Sequence, residues 1–419
     1  MRTLQSTDCW SLHCSAMMGC QQALTVVTVL ALAVLAVLVR KVQVQLESLR
    51  LTPGPGGSSQ SYNDETCQLV GPDLQGSEDL ALGRHGVLFI ASGDMHTGLT
   101  EGFGRAPPGG VWVVDLRQTV LQDPVKLEIL GVPAGLTLRL LGLDVSNSTD
   151  RLYSVNHQET TSSVVVFQIT YNVECVGLQS WTCPPVSLQL VTSITSPLFP
   201  HGGINDVAEV DVDQIYVTQL LPYPVPAGGA LHQTWLESWQ SALSVLALGL
   251  GLPWSSLLLC QVSRAQCHPA TSLPFTAANG ITVSQDRSRV FVNDAMERRI
   301  VVMKREERSY SLTWESVIEL PVIADNIEYE DETGQILIGT IPDFITATRF
   351  VMGDKRLAVP GGLALASPLP SGGWEVRELL RHDGSRLAQI SAGARYGDTV
   401  VLGSPGSRGL LVCYNVTMS

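Results

Sequence analysis

The sequence predicts an all-β protein, a six-bladed β-propeller behind an N-terminal transmembrane helix, and three observations carry that reading. Short runs of β-branched and aromatic residues, separated by Gly, Asn, Asp and Pro, dominate the chain beyond Cys67. Six of them look like equivalent starts: Gly86 (GVLFIASG), Arg151 (RLYSVNH), Asp213 (DQIYVTQ), Ser288 (SRVFVND), Thr333 (TGQILIGT) and Asp398 (DTVVLGS), spaced by 45 to 75 residues. Partner strands follow several of them, as in GVWVVDL from Gly110 and RRIVVMK from Arg298. Six units of about four strands match the blade of a propeller, and a two-sheet sandwich does not stretch over six. The third observation is one of phase. Glu78, Asn205 and Asp325 each lie eight positions before a start, and Asn279 lies nine before one.

In chain order, residues 1–22 form a short N-terminal segment, read as cytosolic. Ala23 to Val39 is an uncharged run of Ala, Val, Leu and Thr closed by Arg40-Lys41, at the short end for a membrane span. It reads as an uncleaved signal anchor, with a cleaved signal peptide as the alternative. The run exceeds a usual signal core and lacks an A-x-A exit before Arg40. Residues 40–66 are a juxtamembrane linker, flexible where Gly, Pro and Ser gather in TPGPGGSSQSY. Residues 67–419 are the propeller. Within it, His232 to Leu250 breaks the strand pattern with apolar residues at helical spacing, which predicts a helix packed on the propeller as core or lid in preference to one lying on a membrane.

A net charge of −13 over 419 residues argues against nucleic-acid binding, which needs clustered Lys and Arg, and fits an acidic, cation-binding ectodomain. Orientation rests on signals that disagree. Arg40 and Lys41 outweigh Arg2, which alone would put the large domain in the cytosol. Six of the nine cysteines follow the span (Cys67, Cys175, Cys183, Cys260, Cys267, Cys413), an even number as a disulfide-bonded domain would have. Asn147-Ser148-Thr149 and Asn415-Val416-Thr417 are glycosylation acceptors in a lumen. The combined evidence places the domain in the endoplasmic reticulum lumen or outside the cell, membrane-anchored.

Residues that repeat at one offset from a repeated element converge when the elements surround an axis. Carboxylates and amide oxygens that converge make an oxygen-only site, suited to Ca²⁺. Other chemistries find no motif: the chain has no G-x-S-x-G elbow, H-E-x-x-H helix, G-x-x-x-x-G-K-[ST] loop or C-x-x-C pair.

Gly76-Ser77-Glu78-Asp79-Leu80, Val155-Asn156-His157, Ile204-Asn205-Asp206, Ala278-Asn279-Gly280-Ile281, Asp325-Asn326-Ile327 and Leu411-Val412-Cys413, taken in order, resemble the paraoxonase/arylesterase family from Cys67 to Tyr414. The resemblance implies a propeller with two Ca²⁺ ions in its tunnel. The catalytic ion would take Glu78, Asn205, Asn279, Asp325 and Asn326. A deeper, structural ion would take Asp79, Asp206 and the backbone carbonyl of Leu143. It also implies a disulfide between Cys67 and Cys413; for Cys175/Cys183 and Cys260/Cys267, pairing of neighbours is expected.

The family's hydrolases are described with two histidines, and the chain keeps one. His157 matches the second, whereas Leu141 stands at the first. His96 and His201 are candidate substitutes, as is a carboxylate such as Asp325 or Glu78. The resemblance implies hydrolysis of small hydrophobic aryl esters or lactones, with Leu140, Leu141 and Leu143 as an apolar tunnel lining. The rival reading is a catalytically weak or silent propeller that acts as a chaperone or binding partner for membrane proteins.

Overall fold

The computed structural model describes residues 61–118, 123–172, 186–226, 228–229 and 234–416. The run Ala23–Val39 and the pair Cys175 and Cys183 lie outside them. Among the described residues no helix is long and apolar enough to cross a membrane.

Six antiparallel sheets are arranged as the blades of a propeller, and the inner strand of each packs against that of the next, the sixth against the first. The inner strands are Asp79–Leu82, Leu140–Ser146, Ile204–Asp211, Ala278–Val283, Ile323–Glu330 and Ala392–Tyr396, of blades 1 to 6 in order. Each second strand corresponds to one of the six starts seen in the sequence. Blade 2 gains a fifth strand, Ile129–Leu130, which pairs in parallel with Val186–Ile194.

Alternation along the strands explains the packing. Side chains on the two faces of every blade point into the two neighbouring gaps, so a run such as Val164-Val165-Val166-Phe167 feeds two cores at once. Six apolar clusters result, one in each gap between adjacent blades.

Blade 6 closes the ring. Its outermost strand, Cys67–Gln75, comes from the start of the domain and its other three from the end. Cys67 stands directly opposite Cys413 and is disulfide-bonded to it. A second disulfide joins the cross-strand neighbours Cys260 and Cys267 in blade 3. These bonds fit an oxidising compartment. Asn147 and Asn415 are both exposed.

Three helices, α1 (Met95–Glu101), α2 (Trp235–Gly249) and α3 (Phe344–Val351), leave the second strands of blades 1, 3 and 5. Second strands run back toward the first residues of the inner strands, so all three helices sit at that end of the axis. Helix α2 departs from the expected core or lid packing. Its Thr234–Glu237 capping box is complete, yet Trp235 is 77% exposed and Leu236 and Trp239 are exposed as well. Its described buried residues, Ser244 and Ala247, lie in the C-terminal half, next to buried Leu250, while Leu246 between them is 50% exposed.

Candidate functional site

The inner strands of blades 2 to 5 share one irregularity. Pairing with the second strand breaks between Leu140 and Leu143, Ile204 and Val207, Ala278 and Ile281, and Ala324 and Ile327. In each, three steps on the inner strand match two on its partner, which is a one-residue bulge. The bulged residues are Leu141-Gly142, Asn205-Asp206, Asn279-Gly280 and Asp325-Asn326. Glu78 and Asp79 stand at the same end of blade 1. A bulge turns side chains out of the alternation of the strand, and in blades 3 to 5 it gathers the polar ones around the axis. This is the physical origin of the shared phase in the sequence.

Glycine lets the blades meet there. A Cβ on Gly142 would stand 2.3 Å from Asp206 Oδ1 and 2.6 Å from the Asn205 carbonyl oxygen. One on Gly280 would stand 2.6 Å from Asn326 Cα. The small residues of blades 2 and 4 thus make room for the polar ones of blades 3 and 5.

The hydrogen bonds orient the set. Asn279 Nδ2 donates to Asp325 Oδ1 at 2.7 Å, and Asn326 Nδ2 donates to Glu78 Oε1 at 3.1 Å. Carboxylates only accept, so each amide must turn its nitrogen to them and its oxygen elsewhere. Four oxygens are left buried without a hydrogen-bond partner: Glu78 Oε2, Asn205 Oδ1, Asn279 Oδ1 and Asn326 Oδ1. Deeper on the axis, Leu143 N donates to Asp79 Oδ2 and Ile281 N to Asp206 Oδ2, both at 2.8 Å. Asn293, wholly buried, steadies the cluster by donating to the Asp325 carbonyl at 2.6 Å.

Charge is the unresolved quantity. Glu78, Asp79, Asp206 and Asp325 are all buried, and among the described residues none forms an ion pair. Burial, with the charges of Asp79 and Asp325 added, drives Glu78 well above the carboxylate range. Burial, then Asp79, does the same to Asp206. Asp79 is pushed up to about 7 and Asp325 to about 6, in both cases chiefly by burial. Such a set is costly without a cation. Among the described residues no group of three or more His, Cys, Asp or Glu comes together as a metal cluster. The orphaned amide oxygens complete a hard oxygen donor set, the type that fits Ca²⁺.

The sequence profile of the arylesterase family matches residues 59–413. The chain belongs to the arylesterase family. Its relatives include human serum paraoxonase/lactonase 3, 27% identical over 67% of this chain and 70% of that protein. The rat protein of the same name is 26% identical over 81% and 86%. Mouse serum paraoxonase/arylesterase 1 is 26% identical over 66% and 69%. At this distance the chain is a divergent family member.

The divergence is visible in the histidines of this arylesterase-family chain. His157 is wholly buried, with Nδ1 at 2.8 Å from Ser162 Oγ and its ring 4.8 Å from that of Phe103. Ser162 Oγ also accepts the Gly202 N–H at 2.8 Å. Burial, then His201, lowers the His157 pKa to about 3, so the ring is neutral and a weak base. Both ring nitrogens of His201 lie against carbonyl oxygens, Val225 at 2.7 Å and Gln158 at 3.0 Å, so the ring is held by the backbone at both ends. His96 keeps Nε2 free while Nδ1 binds the Val351 carbonyl at 2.8 Å.

The expected apolar tunnel lining is corrected as well. Leu140 and Leu143 belong to the core between blades 1 and 2, and Leu141 to the core between blades 2 and 3. The leucines pack away from the axis: Leu140 and Leu143, on either side of the bulge, share one gap, and Leu141, within it, faces the other. A cavity of about 910 Å³ does lie on the axis, but at the opposite end, where Glu209, Arg287, Glu328 and Arg395 line it.

Proposed function

We propose that this chain is a calcium-dependent hydrolase of small hydrophobic aryl esters or lactones. The four orphaned oxygens carry the reading, since they belong to four different blades or blade edges and include three of the four residues selected by phase, Glu78, Asn205 and Asn279. Glu78, Asn205, Asn279, Asp325 and Asn326 would hold one ion. Asp79, Asp206 and the Leu143 carbonyl would hold a deeper one. Four buried carboxylate charges match two divalent cations in total charge. When bound, calcium polarises a substrate carbonyl and stabilises the charge that develops on its oxygen.

The residues of the chain then have to supply proton transfer without a histidine pair. Leu141 has no basic group, and His157 is enclosed and neutral. Asp325 is held through one oxygen only, by Asn279, and its other oxygen is the one assigned to take a proton from water. A carboxylate base is weaker than an imidazole matched to neutral pH, so turnover is expected to be slow. The enclosure of His157 is also what favours the second reading, a silent propeller that binds membrane-protein partners. Hydrolysis measured with and without calcium separates the two.

The proposal includes a membrane anchor at residues 23–39 and a domain in the lumen or outside the cell. Glycosidase is expected to lower the mass of the expressed protein, and Asn147→Gln with Asn415→Gln to remove that shift. Protease added to sealed vesicles should spare the domain. A digested domain and a protected N-terminal tag would show the reverse orientation.

A further inference from the structure

Glu78 follows the outermost strand of blade 6 by three residues, so the docking of that strand decides where Glu78 stands. Ser77 fastens the connection. Its N–H donates to the Ser404 carbonyl at 2.7 Å, and its hydroxyl donates to the Gly409 carbonyl at 2.9 Å while accepting the Ser404 N–H at 3.0 Å. Ser391, immediately before the inner strand of blade 6, reaches further. Its hydroxyl donates to the Glu78 carbonyl at 2.6 Å, its own carbonyl accepts the Asn326 N–H at 2.9 Å, and its N–H donates to the Gly403 carbonyl at 3.1 Å.

Ser391 is wholly buried and bonds to no oxygen of the donor set. What it holds is the backbone of two donor residues, one from blade 1 and one from blade 5, on either side of the blade that closes the ring. Blade 5 presses on it closely, since a Cβ on Gly339 would stand 2.0 Å from the Ser391 carbonyl oxygen. We propose that Ser391 is a positioning residue, which couples closure of the ring to cation affinity by fixing the spacing of Glu78 and Asn326. This rests on the calcium reading above.

The Glu78 carbonyl has a second donor, Asn326 Nδ2 at 3.0 Å. Removing the Ser391 hydroxyl therefore orphans no buried acceptor, and the fold should survive while the alignment is lost. The test is calorimetric titration of calcium into chelator-treated full-length protein, Ser391→Ala and Val401→Ala. Val401 lies in the same blade, fully buried in the core between blades 6 and 1, and its apolar side chain forms no hydrogen bond to a donor residue. Ser391→Ala is expected to weaken calcium binding about tenfold, the equivalent of one hydrogen bond. Val401→Ala, with a comparable loss of melting temperature, should stay within about threefold of wild type, the scale of an uncoupled distant site.

Equal weakening in both variants, or none in Ser391→Ala, overturns the proposal. Should Ser391→Ala fail to fold, Ser391→Cys, whose thiol is a weaker donor, is expected to bind calcium with intermediate affinity, and wild-type affinity there overturns it equally. A wild-type protein that takes up no calcium removes the calcium reading itself, and that result shows before any variant is compared.

Discussion

Excess EGTA is expected to lower the melting temperature of the protein by on the order of 10 °C at pH 8. A ligand that binds only the folded state stabilises it by mass action, by about 4 kcal/mol at a thousandfold excess over its dissociation constant. One kcal/mol shifts the midpoint of a large domain by roughly 2 to 4 °C. The loss should depend on pH with a definite sign. In the cation-free protein Asp79 is held up to about 7 and Asp325 to about 6, both chiefly by burial, against about 3.9 for an unfolded aspartate. Below about pH 4 both states are protonated and no penalty exists. Between about 4 and 7 the folded state keeps protons that the unfolded state has released, so stability falls as pH rises, and above 7 these two groups are ionised in both states. The chelated protein should therefore melt higher at pH 5 than at pH 8. Calcium should cancel that slope, because it replaces the protons. Melting curves at both pH values, with and without EGTA, check this; superimposable curves at pH 8 would remove calcium from the account.

Gly142→Ala is expected to abolish high-affinity cation binding and to destabilise the fold by about 3 kcal/mol, the upper range for overpacking. The new Cβ would meet Asp206 Oδ1 at 2.3 Å, the Asn205 carbonyl at 2.6 Å and Asp206 Cα at 2.6 Å. Two of those three atoms belong to the backbone or its root, so no rotamer change relieves the contact. Blades 2 and 3 must separate, and Asn205 and Asp206 move with them. Gly142 has no left-handed φ, so the effect is steric alone. Denaturant melts and a calcium titration of the variant check both parts. Wild-type affinity in a folded Gly142→Ala protein would mean that Asn205 and Asp206 are not ligands.

The blade count and the convergence of the polar residues on the axis were legible because the fold repeats. A bulge at one place in the inner strands of blades 2 to 5 puts Asn205, Asn279 and Asp325 eight or nine positions before the next strand, and spacing survives in sequence when identity does not. Cys67 opposite Cys413 was accessible only through family resemblance, since ring closure joins the two ends of the domain. Gly142 and Gly280 went unnoticed as close-approach positions, although both sit in the second place of a bulge. Ser391 carries no motif; its role comes from backbone contacts across two blade boundaries, which leave no trace in residue type. The leucines misled for a simple reason. Apolar residues near a site read as its lining, but alternation sent Leu140 and Leu141 into cores on opposite sides of the blade. For α2, helical spacing was read correctly and packing was not, because periodicity tells of an apolar face and says nothing of whether anything covers it.

The central claim is that the oxygen cluster on the axis holds calcium and that the calcium serves ester or lactone hydrolysis. The most direct measurement is turnover of an aryl ester and a lactone by the purified protein in calcium, after chelation, and after calcium is restored. Slow hydrolysis that disappears with EGTA and returns with calcium is the expected result. No turnover on either substrate class by protein shown to contain calcium would contradict it and leave a partner-binding propeller in its place.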